Sequence, residues 1–407
     1  MKYLSMDDFN LRGKTVFVRV DVNSPVDPIS GKILDYSRFE AHRRTLMELR
    51  RSKVVILAHQ SRPGKRDYIS LRNHAEVFTK ILNRKVEFVE DLFGKLAREK
   101  IENMSSGEYI LLENTRFYAE EYCLKKGDFG ETNIVRNLAP LGDFFINDAF
   151  AAAHRAQTTL VGFASKMPML AGRLMEKEIE MLTHFMVMDE HPKVAVFGGA
   201  KADDSITVME NFLNNGIVDK VLTGGVVAYF FLIAKGYDLG EGSMAYLEKE
   251  FDDYTKYVER ASKLIEKYDD MIEIPVDVVV NNDGKRKALT VDELPNPKPI
   301  YDIGLDTAIK YMGILRNAKG IVLNGPMGVF EIPEFEVGTL EVYKGVAESS
   351  AFKVAGGGHT IAAIEKYGLK RYFDHISTGG GALITFLSGG KMPVIEALER
   401  SYEEYQP

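Results

Sequence analysis

Short apolar runs rich in Val, Ile and Leu recur along the chain, separated by amphipathic stretches of helix length. The first series reads TVFVRV (15–20), KVVILAH (53–59), KVEFV (85–89), YILLEN (109–114) and FFIND (144–148). The second reads KVAVFGG (193–199), KVLTGG (220–225), IEIPVDVVV (272–280), GIVLNGP (320–326) and FKVAGGG (352–358). A continuous apolar run without polar alternation predicts a strand covered on both faces. Helical spacing over Ser37–Arg51 and Arg72–Leu82 supplies crossovers, so the pattern predicts βαβ units and parallel sheets. Two series of about five strands each fit an α/β fold of two doubly wound, Rossmann-like domains better than one wide sheet.

The stretch GRLMEKEIEMLTHFMVMDE reads as one long helix, with Leu174, Ile179, Leu182 and Phe185 at helical spacing. It is expected to join the domains as a hinge helix. That places an N-terminal domain at 1–170 and a C-terminal domain at 171–390. The segment 281–299, mixed in Lys, Asp, Asn and Pro, predicts an exposed loop or hairpin.

Composition narrows the class. With 407 residues, 45% of them hydrophobic, the chain can bury large cores without staples. A net charge of −7 argues against non-specific binding to nucleic acid or an anionic membrane. The single cysteine, Cys123, excludes an internal disulfide and a CxxC metal pair. The N-terminus is too polar for a signal peptide, and no apolar run approaches the ~20 residues of a membrane span. The expectation is a cytoplasmic protein, a monomer with a homodimer as the alternative.

Ligands of open α/β sheets bind outside the carboxyl ends of the strands, so the chemistry is read there. In the first half these ends carry Asp21 and Asn23, then His59 and Arg62, then Glu113, Asn114 and Arg116, then Asn147, Asp148, His154 and Arg155; Arg38 opens the first helix. Any one of these arginines is by itself an ordinary surface residue. Their recurrence at successive strand ends of an acidic protein points to a small polyanion, which the planar guanidinium fork matches. In the second half the ends carry glycine: Gly198-Gly199-Ala200-Lys201, Gly224-Gly225, Asn324-Gly325-Pro326-Met327-Gly328, Gly356-Gly357-Gly358 and Gly379-Gly380-Gly381. Each cluster alone is a tight turn. Together, next to helix N-termini, they suggest a nucleotide bed, with Lys201 placed to neutralise a transferring phosphoryl group. No GxxxxGK[ST] or GxGxxG follows a strand, which weakens P-loop and dinucleotide (dehydrogenase) readings. Asp128-Phe129-Gly130 spells DFG without the other kinase signatures and is a chance match.

RVDVNSP (19–25), AHQSRPG with its His59/Arg62 pair, LLENTRF (111–117), NDAFAAAHRAQTT (147–159), FGGAK (197–201), IPVD (274–277), LNGPMGVFE (323–331) and HISTGGGA (375–382) together resemble phosphoglycerate kinase. The matches run in family order over essentially the whole chain. The resemblance implies reversible phosphoryl transfer between ATP and the carboxylate of 3-phosphoglycerate, giving ADP and 1,3-bisphosphoglycerate, in glycolysis and gluconeogenesis. It implies that the first domain holds the phosphoglycerate, that the second holds the nucleotide with Mg2+, and that the C-terminal helix, 391–407, packs back on the first. By motif match Asp21, Val22, Asn23, Arg38, His59, Gln60, Ser61, Arg62, Arg116, His154 and Arg155 form the substrate side, with Arg38 the catalytic arginine. Gly198, Gly199, Ala200, Lys201, Gly224, Asn324, Gly325, Pro326, Gly328, Glu331, Gly357, Gly358, His359, Thr360 and Gly380 form the nucleotide side, with Lys201 catalytic and Glu331 on the ribose. Two positions depart from the family. Ser205 stands where a second lysine is common. His359 stands at the magnesium-aspartate position, so no metal ligand is assigned, because imidazole suits that ion poorly. GGGHT and DDSI resemble the archaeal branch. The alternative is a non-catalytic nucleotide-binding protein of the same fold.

Overall fold

The computed structural model describes residues 1–124 and 127–406. The chain divides into two compact units, Met1–Glu180 with Lys391–Pro407, and Met181–Gly390. Of the 391–407 segment, Pro407 lies outside the described residues. The expected joint at 170/171 and the division at 180/181 differ because the Arg173–Val187 helix runs across the boundary.

The first unit is built on β1 (Leu4–Ser5), β2 (Thr15–Arg19), β3 (Lys53–Leu57), β4 (Val86–Val89), β5 (Tyr109–Leu112), β6 (Phe144–Asn147) and β7 (Met169–Ala171). They form a seven-stranded sheet in the order β1-β7-β6-β2-β3-β5-β4, and every neighbouring pair is parallel. Helices cover both faces, which is why the strands read as unbroken apolar runs. Val16, Phe17 and Val18 of β2 are fully buried, and burial of each such side chain stabilises by roughly 1.5–3 kcal/mol. The C-terminal Pro393–Glu404 helix belongs to this unit: Ser401 Oγ accepts from Met169 N at 2.8 Å, and Val394 N donates to Ala153 O at 3.2 Å.

The second unit adds β8 (Lys193–Phe197), β9 (Lys220–Thr223), β10 (Ile272–Glu273), β11 (Asp277–Asn282), β12 (Lys285–Thr290), β13 (Ile300–Ile303), β14 (Gly320–Asn324), β15 (Phe352–Gly356) and β16 (His375–Ile376). Six of them form a sheet in the order β10-β9-β8-β14-β15-β16, and the remaining three form a second sheet, β12-β11-β13. The run 272–280, expected as one strand, is therefore two. Pro275 has no N–H for a ladder, so the strand ends at Glu273 and resumes at Asp277 in the other, antiparallel sheet. The 281–299 segment is largely the β11–β12 hairpin, and the short strands β1, β7 and β16 escaped the pattern because two or three residues show no period.

Candidate functional site

The order of the first sheet places the ends of β6, β2, β3 and β5 side by side. The residues that follow them converge, although they are far apart in sequence. Arg19, the last residue of β2, is fully buried. Its Nε donates to Thr159 Oγ1 at 2.9 Å, its Nη1 to Val20 O, and its Nη2 lies 2.9 Å from His59 Nδ1 and 3.7 Å from Glu121 Oε1. A guanidinium can only donate, so His59 Nδ1 accepts and the imidazole is the neutral Nε2–H form. Its electrostatics agree: burial, followed by Arg19, Arg116 and Arg155, holds the His59 pKa well below the ordinary value, against the opposing pull of Asp21.

Asp21 is 7% exposed, and its Oδ2 lies 3.0 Å from Arg38 Nη1. Burial alone would raise its pKa; Arg38, His59, the Asn23 N–H and Arg19 outweigh that and hold it below the usual carboxylate range. Asn23 Oδ1 accepts from Ser61 N at 2.8 Å, which fixes Ser61 at φ +56°. Arg116 Nη1 donates to Ser61 O at 2.7 Å. Burial, then the nearby Arg19 and Arg155, lower the Arg116 pKa to about 10. Arg155 Nε donates to His154 Nε2 at 3.1 Å, so His154 keeps its proton on Nδ1. Burial, then Arg155, push the His154 pKa down to about 4. Two buried donors, Arg116 Nε and His154 Nδ1, have no partner. Cations and neutral imidazole donors thus gather around two carboxylates, Asp21 and Glu121, with donor capacity left over for an anion.

Not every expected side chain takes part. Val22 is fully buried in the core. Gln60 is also buried; its amide donates to Ser24 O at 3.0 Å and its carbonyl meets His74 Nε2 at 3.1 Å. Both can meet a ligand only through their backbone. Arg62 and Arg155 are exposed. Arg19, Glu121 and Thr159 join the site with no sequence signal of their contacts, since Arg19 lies inside a strand and the other two in short helical turns, where nothing in the chain shows what a side-chain tip will touch.

In the second unit a cavity of about 400 Å³ is lined by Gly199, Ala200, Gly225, Pro326, Gly328, Glu331 and His359 among others. Its apolar wall includes Pro275 and Val329, which lie in quoted motifs, while Val226 and Leu232 and the tyrosines Tyr229, Tyr246 and Tyr301 carry no motif. A concave, largely apolar site with few polar groups suits a small organic ligand. The glycines divide into two kinds. A Cβ on Gly198 would sit 2.1 Å from Pro326 O, and one on Gly225 (φ +53°) 2.5 Å from Gly199 N. Their N–H groups are also in use: Gly198 N donates to Asn324 O at 2.9 Å and Gly225 N to Met327 O at 2.7 Å, while the neighbouring Gly199 N donates to Pro326 O at 2.7 Å. These glycines, with Gly224 and Gly325, let three loops interlock. Gly358, by contrast, faces open space, and a Cβ on Gly380 would meet only Gly357, at 3.9 Å. The helices Gly358–Lys366 and Gly380–Leu387 therefore present adjacent, uncovered N-termini, a setting favourable to anions.

Lys201, Glu331 and His359 are exposed. Thr360 is not: it is 1% exposed and its Oγ1 accepts from Gly325 N at 2.7 Å, tying the β14 loop to the Gly358–Lys366 helix. Asn324 Oδ1 lies beside Gly357. Ser205 is 2% exposed. Asp302, on the cavity wall, accepts from Gly338 N at 2.7 Å and Ile303 N at 2.9 Å. Burial raises its pKa to about 7 despite those N–H groups. Among the described residues no group of three His, Cys, Asp or Glu is arranged to hold a metal ion, and no helix is long and apolar enough to cross a membrane.

The family model described as phosphoglycerate kinase matches residues 6–390. Phosphoglycerate kinase of Thermoplasma acidophilum is 50% identical over 406 residues, covering 100% of this chain and 99% of the relative. That of Methanothermus fervidus is 49% identical over 403 residues, with 98% of each covered. The crystal structure of phosphoglycerate kinase from Pyrococcus horikoshii OT3 superimposes with a TM-score of 0.90 at 45% identity, over 99% of this chain and 100% of that one. The enzyme from Coxiella burnetii gives 0.82 at 33% identity, over 98% and 99%.

Proposed function

The chain belongs to the phosphoglycerate kinase family, and from that premise we propose that its first unit holds 3-phosphoglycerate and its second the nucleotide. The reaction is reversible phosphoryl transfer between ATP and the carboxylate of 3-phosphoglycerate. No observation favours a non-catalytic relative: the expected cationic side chains and Lys201 are all present. One observation carries the assignment of the two sites. The unpaired buried donors Arg116 Nε and His154 Nδ1 sit in an arginine cluster in one unit, and the apolar cavity beside uncovered helix N-termini sits in the other.

The nucleophile is a carboxylate with a pKa near ~4, already ionised at neutral pH, so no general base is needed. This agrees with the state of the site, where His59 and His154 are neutral donors rather than bases poised near pH 7. Transfer then depends on alignment and charge compensation. Arg62, Arg116, His154 and Arg155 hold the substrate phosphate and carboxylate, with the His59 Nε2–H as a further donor. Arg38 exchanges Asp21 for the carboxylate of 3-phosphoglycerate and the group transferred to it, and Lys201 meets that group from the nucleotide side. The Gly358 and Gly380 helix N-termini take phosphate charge, Glu331 the ribose, and the tyrosine-lined wall the base.

Magnesium enters as part of the nucleotide complex, held by phosphate oxygens and water. The described residues offer it no three-ligand cage, and His359 is a nitrogen donor where that ion prefers oxygen. The acidic charge and lone cysteine suit a monomeric enzyme of the cytoplasm. A coupled assay tests the reading: ADP release must require both ATP and 3-phosphoglycerate. Hydrogen exchange tests the placement: 3-phosphoglycerate should protect the ends of β2, β3 and β5, and ADP the ends of β14 and β15. Protection in the opposite units would overturn it.

A further inference from the structure

His42 stands at the place where the substrate residues meet the helix that leaves the first unit. Arg38 and His42 lie one turn apart on the Ser37–Glu48 helix, so they share a face. Both grip one loop. Arg38 Nη1 lies 3.0 Å from Asp21 Oδ2, and His42 Nε2 lies 3.0 Å from Asp21 N. The other ring nitrogen, His42 Nδ1, is 2.7 Å from Asp148 Oδ2. Nε2 also lies 3.1 Å from Asp21 O; the aligned Asp21 N–H can only donate, which makes Nε2 the acceptor there, and Nδ1 then carries the proton that Asp148 receives.

Asp148 Oδ1 in turn accepts from Leu174 N at 2.9 Å and Met175 N at 3.3 Å. Those are otherwise unpaired N–H groups at the start of the Arg173–Val187 helix. The next turns of the Ser37–Glu48 helix reach the same place. Thr45 Oγ1 accepts from Arg173 N at 2.9 Å, and Glu48 Oε2 from Arg173 Nε at 2.7 Å. His42 is 1% exposed and Thr45 and Asp148 are fully buried, so water offers no competing partner.

We infer that His42 is a positioning residue that couples occupancy of the Arg38–Asp21 site to the first turn of the Arg173–Val187 helix. An anion bound at Arg38 competes with Asp21 for the guanidinium and shifts the Asp21 loop. The peptide of that loop hangs on a rigid imidazole whose far side is fixed to the carboxylate capping the helix, so the shift is passed on. The inference rests on the phosphoglycerate reading of this site.

Amide hydrogen exchange at Leu174 and Met175 tests it, with and without 3-phosphoglycerate and with no nucleotide present, in the full-length enzyme and in His42→Ala and His42→Asn. The amide introduced by His42→Asn can still donate to Asp148, which keeps that carboxylate partnered and the fold intact, but it is too short to reach Asp21 N. In the unaltered enzyme the substrate should slow exchange at both amides about tenfold. In both variants that response should vanish while calorimetry still detects substrate binding. Turnover should fall about tenfold, equivalent to ~1.4 kcal/mol, with the KM for ATP unchanged. An undiminished response in His42→Asn, or none in the unaltered enzyme despite binding, would overturn the inference. Failure of the unaltered enzyme to bind 3-phosphoglycerate would sink the functional reading instead, and this inference with it.

Discussion

The two candidate sites handle negative charge in opposite ways. The first unit uses side chains, each held in place by a partner: Arg19 by the His59 ring, Arg38 by the Asp21 carboxylate and Arg116 by the backbone carbonyl of Ser61. The second uses backbone, with loops brought together by glycines, open helix N-termini and an apolar cavity. A small, dense polyanion is met by a fixed set of strong donors whose mutual repulsion Asp21 and Glu121 offset only in part until it arrives. An extended ligand with one charged end and one flat apolar end is met by shape at one end and by N–H groups at the other. The first site should therefore be sensitive to losing atoms and the second to gaining them.

Truncation at the reacting centre should have the largest effect. Arg38→Ala and Lys201→Ala should each lower turnover about 10³-fold or more, with little change in melting temperature, since both side chains reach the surface. Near-normal turnover in both would remove these roles.

Smaller losses are expected around it. Arg62→Ala and Arg116→Ala should raise the KM for 3-phosphoglycerate about 10–100-fold, the scale of one charge-assisted hydrogen bond. The KM for ATP should not change. Arg116→Ala should also lower the melting temperature, because it frees Ser61 O, whereas exposed Arg62 should not.

Adding one methyl group should separate the two kinds of glycine. Gly198→Ala must push Pro326 O away from 2.1 Å, and should cost about 1–3 kcal/mol of stability and raise the KM for ATP. Gly358→Ala has open space around it, and its stability should match the unaltered protein within about 0.5 kcal/mol. Equal melting temperatures for the two variants would collapse the distinction.

The smallest and slowest contrast is with pH. In the first unit His74, like His154, has its pKa lowered to about 4, in its case by burial. A histidine depressed in the folded state takes up protons on unfolding. Its contribution is fully present above its unfolded pKa of about 6.5 and is lost as pH falls towards 4. Asp302 in the second unit has the opposite sign. Raised to about 7, its contribution is complete below its unfolded pKa near ~4 and is lost as pH rises through 7. Between about pH 6.5 and 4.5 the first unit should weaken relative to the second. Exchange rates resolved by unit would show this, and parallel weakening of both would contradict it.

Much of this was legible in the chain itself. The runs at 15–20, 53–59 and 320–326 were strands because a parallel sheet buried on both faces leaves no room for polar alternation. The residues just past them marked the sites because strand ends are where such sheets bind. Thr360, Gln60 and Val22 show the limit of that reading. They lie in the right motifs, yet their side chains serve the core or tie loops together.

Sequence alone determined the α/β class, the two strand series, the cationic and glycine-rich strand ends and the family, because periodicity, turn chemistry and motif order are local properties. Tertiary structure alone decided that β2 lies between β6 and β3, and hence that Arg19 meets His59 and Thr159. It decided that 272–280 feeds two sheets, which glycines interlock and which lie open, and that unremarkable tyrosines line the cavity. Those outcomes depend on which distant segments become neighbours. Sheet order sets that, and no short stretch of chain encodes it.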